Sequence, residues 1–319
     1  MDGAIVVALL TCVFLGAVML LIPHFSPRRY FFGITVPPGF RNTEPARKAM
    51  REYHGAVALV TLIEILCQWL LFQSPVVAPL LIVACAGVAF LRERSHIRPY
   101  AAPSAMTELP VDGGHLPRWV ALATVPFAAM LAVAAYLRAH WDQIPARFPV
   151  HWGVNGEPNG WSEKTVRGVY APVMIGAGVS LFLLLIALGT FYGSRPSRMR
   201  RPILAILVSA TWVIGYAFTA VSLLPLVRFG PLLLMGPILI YVVVVVAWSF
   251  KLNADNPGEE TPDDRWTGGA IYYNPSDPAI FVQKRFGVGY TLNFGNRMTW
   301  LFLGLFIAVI LVLVLLVKG

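Results

Sequence analysis

Long apolar runs alternate with short polar segments along the whole chain. Eight of these runs are long enough to cross a bilayer, because about twenty residues at about 1.5 Å rise span a hydrocarbon core about 30 Å thick. Backbone polar groups find no partner in lipid, so each run is predicted to be a helix. The pattern predicts an all-α polytopic membrane protein with about eight transmembrane helices. The runs cover residues 3–22, 55–73, 75–91, 118–137, 169–192, 203–225, 231–250 and 299–317.

The longest polar stretch, 251–298, departs from this pattern. It begins with acidic and turn-forming residues, which predict a mobile linker. Three short β-rich pieces follow, at 271–273, 280–282 and 290–294, separated by Asn-Pro, Asp-Pro and Gly. They predict a small β-meander or hairpin that is too small to be stable alone and packs on the membrane domain or on a partner. Its candidate functional residues are Tyr272, Tyr273, Asn274, Pro275, Asp277, Pro278, Phe281, Lys284, Arg285, Asn293 and Phe294.

The apolar runs also divide the chain into five parts. The first part carries three helices and basic loops, and the second is a helix–loop–helix whose loop spans 138–168. Helices six and seven, the acidic linker with its β-rich module, and the last helix follow in order. The five parts are 1–117, 118–192, 193–250, 251–298 and 299–319.

Composition supports a membrane protein. The 319 residues are 57% hydrophobic and 13% charged, with a mean hydropathy of +0.67, whereas a soluble chain carries about 25% charged residues. The first apolar run has no basic segment before it and no small-residue cleavage site after it. It is also longer than the roughly 7–15 apolar residues of a signal peptide, so an uncleaved first transmembrane helix is predicted.

The distribution of charge predicts an orientation. Nineteen of the 25 Lys and Arg residues lie in the connections on one side of the predicted membrane, and six lie on the other. The positive-inside rule places both termini and the loop 138–168 outside, and 251–298 in the cytoplasm. The net charge of +9 is explained by the anionic inner leaflet rather than by nucleic acid. One basic segment, 41–54, is either a short helix on the inner leaflet or the charged flank of the second span.

No motif of a familiar enzyme occurs in the chain. It has no Gly-Lys pair and therefore no Walker A loop, and it has no H-E-x-x-H, H-x-x-E-H or G-x-S-x-G. Cys12, Cys67 and Cys85 all lie inside apolar runs, which favours neither a disulfide framework nor a thiolate metal site. No cofactor is predicted.

The loop 138–168 holds the densest polar chemistry. Its candidate ligands for a divalent metal are His140, Asp142, His151 and Glu157, although their spacing matches no known ligand template. The alternative is interfacial: tryptophans lie at headgroup level and Asn-Gly turns shape the chain.

Glu64 lies near the middle of the second apolar run. A charge there costs about 2.5–3.5 kcal/mol, so the carboxyl is expected to face the bundle interior, paired or protonated. It serves either a proton or cation relay or an interhelical hydrogen bond. Together with Pro-interrupted helices such as 223–239, it keeps a small-solute or ion transporter as an alternative function.

The loop sequence IPARFPVHWGVNGEPNGWSEK resembles the signature of the SdpI-type bacterial membrane proteins, I-P-x-H-[FW]-x-x-x-G-[EK]-x-[DN]-x-[WY]-x-x-K, and the resemblance covers about 120–190. The chain departs from the signature at Gly153, where Asn often follows the aromatic residue, and at Asn159, where Asp is common. FFGITVPPGF…ARKAMREYH is similar to a cytoplasmic piece of that family. NPSDPAIFVQKRFGVGYTLNFG is similar to a small uncharacterised C-terminal module of its relatives. The positions matching the loop signature are Pro149, His151, Trp152, Gly156, Glu157, Asn159, Trp161 and Lys164, and Asn155 completes the predicted ligand loop.

The resemblance implies a multi-pass protein of the bacterial cytoplasmic membrane. Its best-understood members confer immunity to a secreted peptide toxin and signal inward by holding a transcriptional repressor at the membrane. It therefore implies a non-enzymatic sensor or immunity-type protein. The implied partners are the bilayer, an envelope-active peptide outside, and a transcriptional regulator or transporter subunit inside. A transporter using Glu64 is the first alternative, and a metal-dependent membrane enzyme is the second.

Overall fold

The computed structural model describes residues 3–71, 77–104, 111, 114–152, 157–227, 229–254 and 256–318. Helices dominate the described residues, and four two-stranded sheets lie in the connections between them. The pairs β1–β2, β3–β4 and β5–β6 are antiparallel. The helices are α1 Gly3–Leu21, α2 Glu44–Leu71, α3 Val77–Ile97, α4 Val125–Ala139, α5 Val166–Gly193, α6 Arg200–Leu223, α7 Pro231–Ala254 and α8 Arg297–Lys318. The strands are β1 Tyr30–Phe31, β2 Ile34–Thr35, β3 Arg147–Trp152, β4 Pro158–Glu163, β5 Trp266–Thr267, β6 Ile271–Tyr272, β7 Phe281–Gln283 and β8 Tyr290–Leu292.

Within the described residues, six helical stretches are long and apolar enough to cross a membrane, which is consistent with a multi-pass membrane protein. The predicted count of eight is not confirmed. A helix occupies each of the other two runs. The last part of α3 carries the charged residues Arg92, Glu93 and Arg94. The apolar part of α8, Arg297–Val312, is shorter than the six stretches. The six stretches are Ala8–Phe25, Glu44–Leu70, Arg118–Ala139, Val166–Gly193, Arg200–Leu223 and Leu232–Asn253.

The first of two compact units comprises Met1–Glu108, Phe250–Asn274 and Val282–Gly295. Helices α1, α2 and α3 pack together in it. Its largest core cluster joins the aromatic side chains of β1 and its turn to small residues of α2 and α3, such as Ala49 and Ala86. Small residues let the helices approach closely enough for the aromatic rings to be enclosed.

A tight hairpin delivers those aromatic rings. Tyr30 pairs with Thr35 and Phe31 with Ile34, so Phe32 and Gly33 form a two-residue turn. Both turn residues have positive φ, 46° and 71°, as a type I′ turn requires. This conformation is unfavourable for a phenylalanine. Burial offsets the cost, because the Phe32 ring is fully enclosed between aromatic neighbours in α2 and α3.

The second unit comprises Leu109–Ser249, Pro275–Phe281 and Asn296–Gly319. Helices α4, α5 and α6 form its centre, and α8 packs on α5. A cluster that includes Val120, Phe191 and Leu204 closes one end of this bundle. The Phe182 and Phe306 rings stack between α5 and α8 with centroids 4.4 Å apart.

The structure decides between the two interpretations of one polar segment and differs from the description of another. The basic segment 41–54 contains the start of α2, where Glu44 pairs with Arg47 and Arg51 at 3.1 and 2.9 Å. It is therefore the charged flank of a long helix rather than a separate one. The acidic segment before β5 is bound rather than loose: Glu260 pairs with Arg29 at 2.7 Å.

Candidate functional site

The loop between α4 and α5 is a β-hairpin. Strands β3 and β4 pair antiparallel, from Arg147 opposite Glu163 at the base to Trp152 opposite Pro158 near the tip. The register shifts on both sides of His151. Such bulges bend a strand and change the direction of its side chains. The prolines and glycines of this segment therefore shape a bent hairpin rather than an irregular loop.

A small apolar core fixes the base of the hairpin to the helices that flank it. Phe148 of β3 is buried together with Leu137 of α4, Val169 of α5, and Ile144 from the connection before β3. Trp141 stacks on Tyr170 with ring centroids 6.2 Å apart. The hairpin is thus continuous with the packing of the bundle.

The junction between β4 and α5 is tight. Thr165 caps α5 by accepting a hydrogen bond from the Gly168 amide at 2.9 Å, and the Lys164 amide donates to the Ala146 carbonyl at 2.9 Å. A Cβ on Gly168 would lie 2.2 Å from the Glu163 carbonyl oxygen. Only glycine allows the strand to pass this close to the first turn of the helix.

Cations lie over two of the hairpin's aromatic rings. The Arg147 guanidinium is 5.1 Å from the centroid of Trp161, and the Lys164 ammonium is 5.8 Å from that of Trp141. Trp161 is 48% exposed and Val150 is 38% exposed. The hairpin and its base thus carry exposed apolar side chains close to positive charge, which a peptide or lipid could contact.

The structure accounts for only some of the predicted loop residues. His151 and Trp152 lie in β3, with backbone partners Gly160 and Pro158, but their side chains fall outside the described part of the chain. Asn155 and Gly156 lie outside the described residues altogether. Of the remaining predicted loop residues, Glu157 and Asn159 are exposed. Trp161 and Lys164 each take part in one of the two cation–aromatic contacts.

The loop candidates for a metal are not assembled among the described residues. The His140 ring hydrogen-bonds the Tyr136 carbonyl at 2.9 Å and packs against the Tyr136 ring, with centroids 4.1 Å apart. Asp142 lies in the short 3-10 helix Trp141–Gln143, and Glu157 is exposed.

A different group has metal-ligand geometry in the described residues: Glu52, Glu93 and His96, whose ligand atoms lie within 4.8 Å of one another. The E-x-x-H spacing at 93–96 is its signal in the sequence. Arg92 pairs with Glu52 at 3.3 Å, and His96 contacts Glu93 at 3.3 Å. These contacts make it an ion-pair network, in which Arg92 supplies the positive charge.

Glu64 is buried within the first unit. It is 8% exposed on α2, in the stretch where Val60 and Ile65 pack against Cys12, Ala78 and Ile82. Among the described residues, no hydrogen bond or ion pair is made by its carboxylate.

The polar module of the first unit is built around Arg285, which is 0% exposed. Its guanidinium lies between the rings of Tyr30 and Trp266, 4.7 and 4.9 Å from their centroids. It donates to the Gly33 carbonyl at 2.9 Å and pairs with Asp263. The sequence marked Arg285 as a candidate but not its buried role, because its partners are up to 252 residues away in the chain.

Further polar contacts complete this module. Asp263 accepts hydrogen bonds from the Thr35 hydroxyl and amide at 2.7 and 3.2 Å. The Asn293 side chain bridges β8 to Asn274, accepting from its amide at 3.0 Å and donating to its carbonyl at 2.9 Å. Burial raises the pKa of the Tyr30 hydroxyl, and the nearby Arg285 charge opposes that rise. Tyr272 is also buried, and its carbonyl accepts a hydrogen bond from the Phe294 amide. The predicted module residues Tyr273 and Lys284 are exposed.

In the second unit, the segment 275–281 is attached to the end of α5. Arg195 and Asp277, both buried, form a bidentate ion pair with distances of 3.1 and 2.5 Å. The Ile280 amide donates to the Gly193 carbonyl at 2.9 Å. Phe281 packs edge-on against Phe302 with centroids 5.3 Å apart. Pro275 and Pro278 are exposed.

Comparisons with known proteins identify two segments. Residues 117–176 match DUF1648, a domain of unknown function that is membrane-associated. Residues 275–300 match DUF5808, a family of unknown function. The first match contains the hairpin, and the second contains Asp277 and Arg285. No curated protein and no solved structure is significantly similar to the chain.

Proposed function

We propose that this protein is a non-enzymatic sensor or immunity-type protein of the bacterial cytoplasmic membrane. Its hairpin binds envelope-active peptides outside, and its β-rich segment 251–298 reports to a transcriptional regulator or transporter subunit inside. The observation that carries the proposal is the exposed Trp161–Arg147 face on a hairpin whose base is built into the helical bundle.

The hairpin face suits a peptide ligand. Trp and Arg are the residues that most often contribute large binding free energies at protein interfaces. A peptide active at membranes is itself amphipathic, so it presents apolar side chains to Trp161 and Val150 and acidic groups or carbonyls to Arg147. The fixed base lowers the entropy cost of binding because the strands are already paired.

Helix α5 supplies a physical link from the hairpin to the segment matched by DUF5808. It begins at Val166, directly after β4, and its 28 residues end at Gly193, a length of about 42 Å. At the far end, Gly193 accepts the Ile280 hydrogen bond, and Arg195 pairs with Asp277. A rotation or shift of α5 caused by a ligand would change both contacts within the same unit.

A crosslinking and survival experiment tests the proposal. A photo-reactive amino acid is placed at Val150, and cells are challenged with a panel of membrane-active amphipathic peptides whose net charge ranges from negative to positive. We expect crosslinked peptide at position 150 and loss of protection in Trp161→Ala and Arg147→Gln strains. The matched control is Trp212→Ala, which removes an exposed tryptophan of α6 outside the hairpin. Equal protection in all three variants, with none in a deletion strain, would contradict the role of the hairpin.

The burial of Glu64 without a hydrogen bond or ion pair among the described residues supports a second candidate, a small-solute or ion transporter. A carboxyl that is buried in a membrane bundle and lacks a fixed partner is suited to carry a proton or cation. Proton or ion flux in proteoliposomes should fall in Glu64→Gln and persist in Glu157→Gln, whose side chain is exposed. Flux that survives Glu64→Gln removes the reason for this candidate.

A further inference from the structure

The connection between α5 and α6 contains a pocket of about 290 Å³ that none of the preceding contacts explains. Three arginines line it together with His115, Ser197 and Phe191. The arginines are Arg198, Arg200 and Arg201. The three guanidinium groups can only donate hydrogen bonds, so the pocket suits an acceptor.

Two of the three arginines carry charges that meet no acidic side chain in the described part of the chain. Among the residues that the structure describes, no carboxylate lines the pocket and no ion pair involves Arg198 or Arg201, both of which are exposed. The neighbouring Asp277 is committed to Arg195. Unneutralised guanidinium groups around a concave surface concentrate the field on an anion inside it.

Part of the pocket is held in place before any ligand arrives. Arg200 is buried, its guanidinium lies 5.1 Å from the centroid of Phe191, and it donates to the Ser194 carbonyl. Arg200 is also the first residue of α6, a 24-residue helix whose dipole adds positive potential at this end. The exposed Arg198 and Arg201 can then close on the ligand from the open side.

The pocket lies at the ends of three stretches that are apolar enough to span a membrane. These stretches end at Gly193 and begin at Arg200 and Arg118, and His115 lies three residues before the last of them. The headgroups of a surrounding bilayer lie at this level. Guanidinium groups match phosphate oxygens in geometry and charge.

We infer that this pocket binds a phosphate group carried on a phosphate ester. The shared chemistry is a tetrahedral phosphate held by Arg198, Arg200 and Arg201. An anionic phospholipid headgroup and a soluble phosphate ester are the two sources. The inference is independent of the proposed peptide sensor, since no residue of the hairpin takes part.

The test uses the full chain purified in detergent. One arm measures binding of phosphatidylglycerol against phosphatidylcholine by native mass spectrometry, and the other measures binding of inorganic phosphate and glycerol 3-phosphate by calorimetry. The test variant is Arg198→Gln/Arg201→Gln, whose sites are exposed and do not carry packing. The matched control, Arg138→Gln/Arg297→Gln, removes two exposed arginines of α4 and α8 in the same unit, neither of which lines the pocket.

We expect the test variant to weaken binding by about tenfold or more, because two charge-assisted contacts are lost, and the control to change it less than twofold. Selective loss in the phospholipid arm assigns the site to a headgroup, and selective loss in the soluble arm assigns it to a phosphate ester. An equal loss in both double variants would show a general effect of surface charge and overturn the site. Absence of binding in both arms would overturn it as well.

Discussion

Replacing Arg285 by methionine gives the sharpest test of how the polar module is held together. Methionine keeps much of the side-chain length and removes the charge, the contacts to the Tyr30 and Trp266 rings, and the hydrogen bonds to Gly33 and Thr261. Asp263 also loses its arginine partner while only 24% of its side chain is exposed.

The cost of this change follows from burial. Removing one partner of a buried ion pair destabilises a protein by about 3–5 kcal/mol. Arg285 is fully buried while Asp263 is partly exposed, so the lower half of that range, about 3–4 kcal/mol, is expected. If the free energy of local opening of the module falls by that amount, the population of the open state rises more than about a hundredfold, since about 1.4 kcal/mol corresponds to a tenfold change in an equilibrium constant.

Proteolysis by thermolysin measures that open population when opening and closing are fast relative to cleavage. Fragments cut within 266–295 should appear more than about a hundred times faster in Arg285→Met than in the unmodified protein. The matched control is Arg265→Met: Arg265 is half-exposed and pairs only weakly with its neighbour Asp264, at 3.6 Å, so its cost stays within about 0.5 kcal/mol. Equal cleavage rates in the two variants would refute the account of Arg285.

Three other predictions concern the hairpin junction, the end of α5 and alkaline pH. Gly168→Ala should raise protease cleavage in the hairpin, because the new Cβ meets the Glu163 carbonyl at 2.2 Å, whereas Gly304→Ala, with open space around it, should not. Asp277→Asn should destabilise the second unit by about 3 kcal/mol because it leaves Arg195 buried without its counter-charge; a thermal midpoint unchanged from the unmodified protein would contradict this. Burial raises the pKa of Tyr30 in the folded protein, so the unfolded chain loses this proton at lower pH. The contribution of Tyr30 to stability should therefore hold up to about pH 10 and fall as pH rises through the raised pKa. Tyr30→Phe should lack this part of the decline in an unfolding titration.

The sequence predicted the helices well because lipid imposes one simple requirement. Each apolar run coincides with a helix within a few residues at most ends, since length and hydropathy are sufficient signals. The start of α2 is the main exception. Its polar first turns carry no hydropathy signal, and the ion pairs of Glu44 with Arg47 and Arg51 hold them in the helix.

The polar parts were less predictable because their contacts are distant in sequence. The module around Arg285 depends on Gly33, Thr35 and Asp263, and no local pattern indicates which residues an arginine will meet. The hairpin was foreseen only as a turn-rich loop, because prolines and glycines within β3 and β4 weaken the strand pattern. The basic residues at 195–201 belong to one of the predicted cytoplasmic connections, and only the fold shows that three of them surround a pocket.

The side of the membrane on which each end of α5 lies tests the central claim most directly. In a chain with Cys12, Cys67 and Cys85 replaced by alanine, single cysteines are placed at Glu163, at the base of the hairpin, and at Ser276, beside Asp277; both sites are exposed. Intact cells are then treated with a membrane-impermeant thiol reagent. A sensor that binds peptides outside and reports inside predicts labelling at position 163 and none at 276 until the cells are opened. Labelling at 276 but not at 163 would place the hairpin in the cytoplasm and contradict the proposed function.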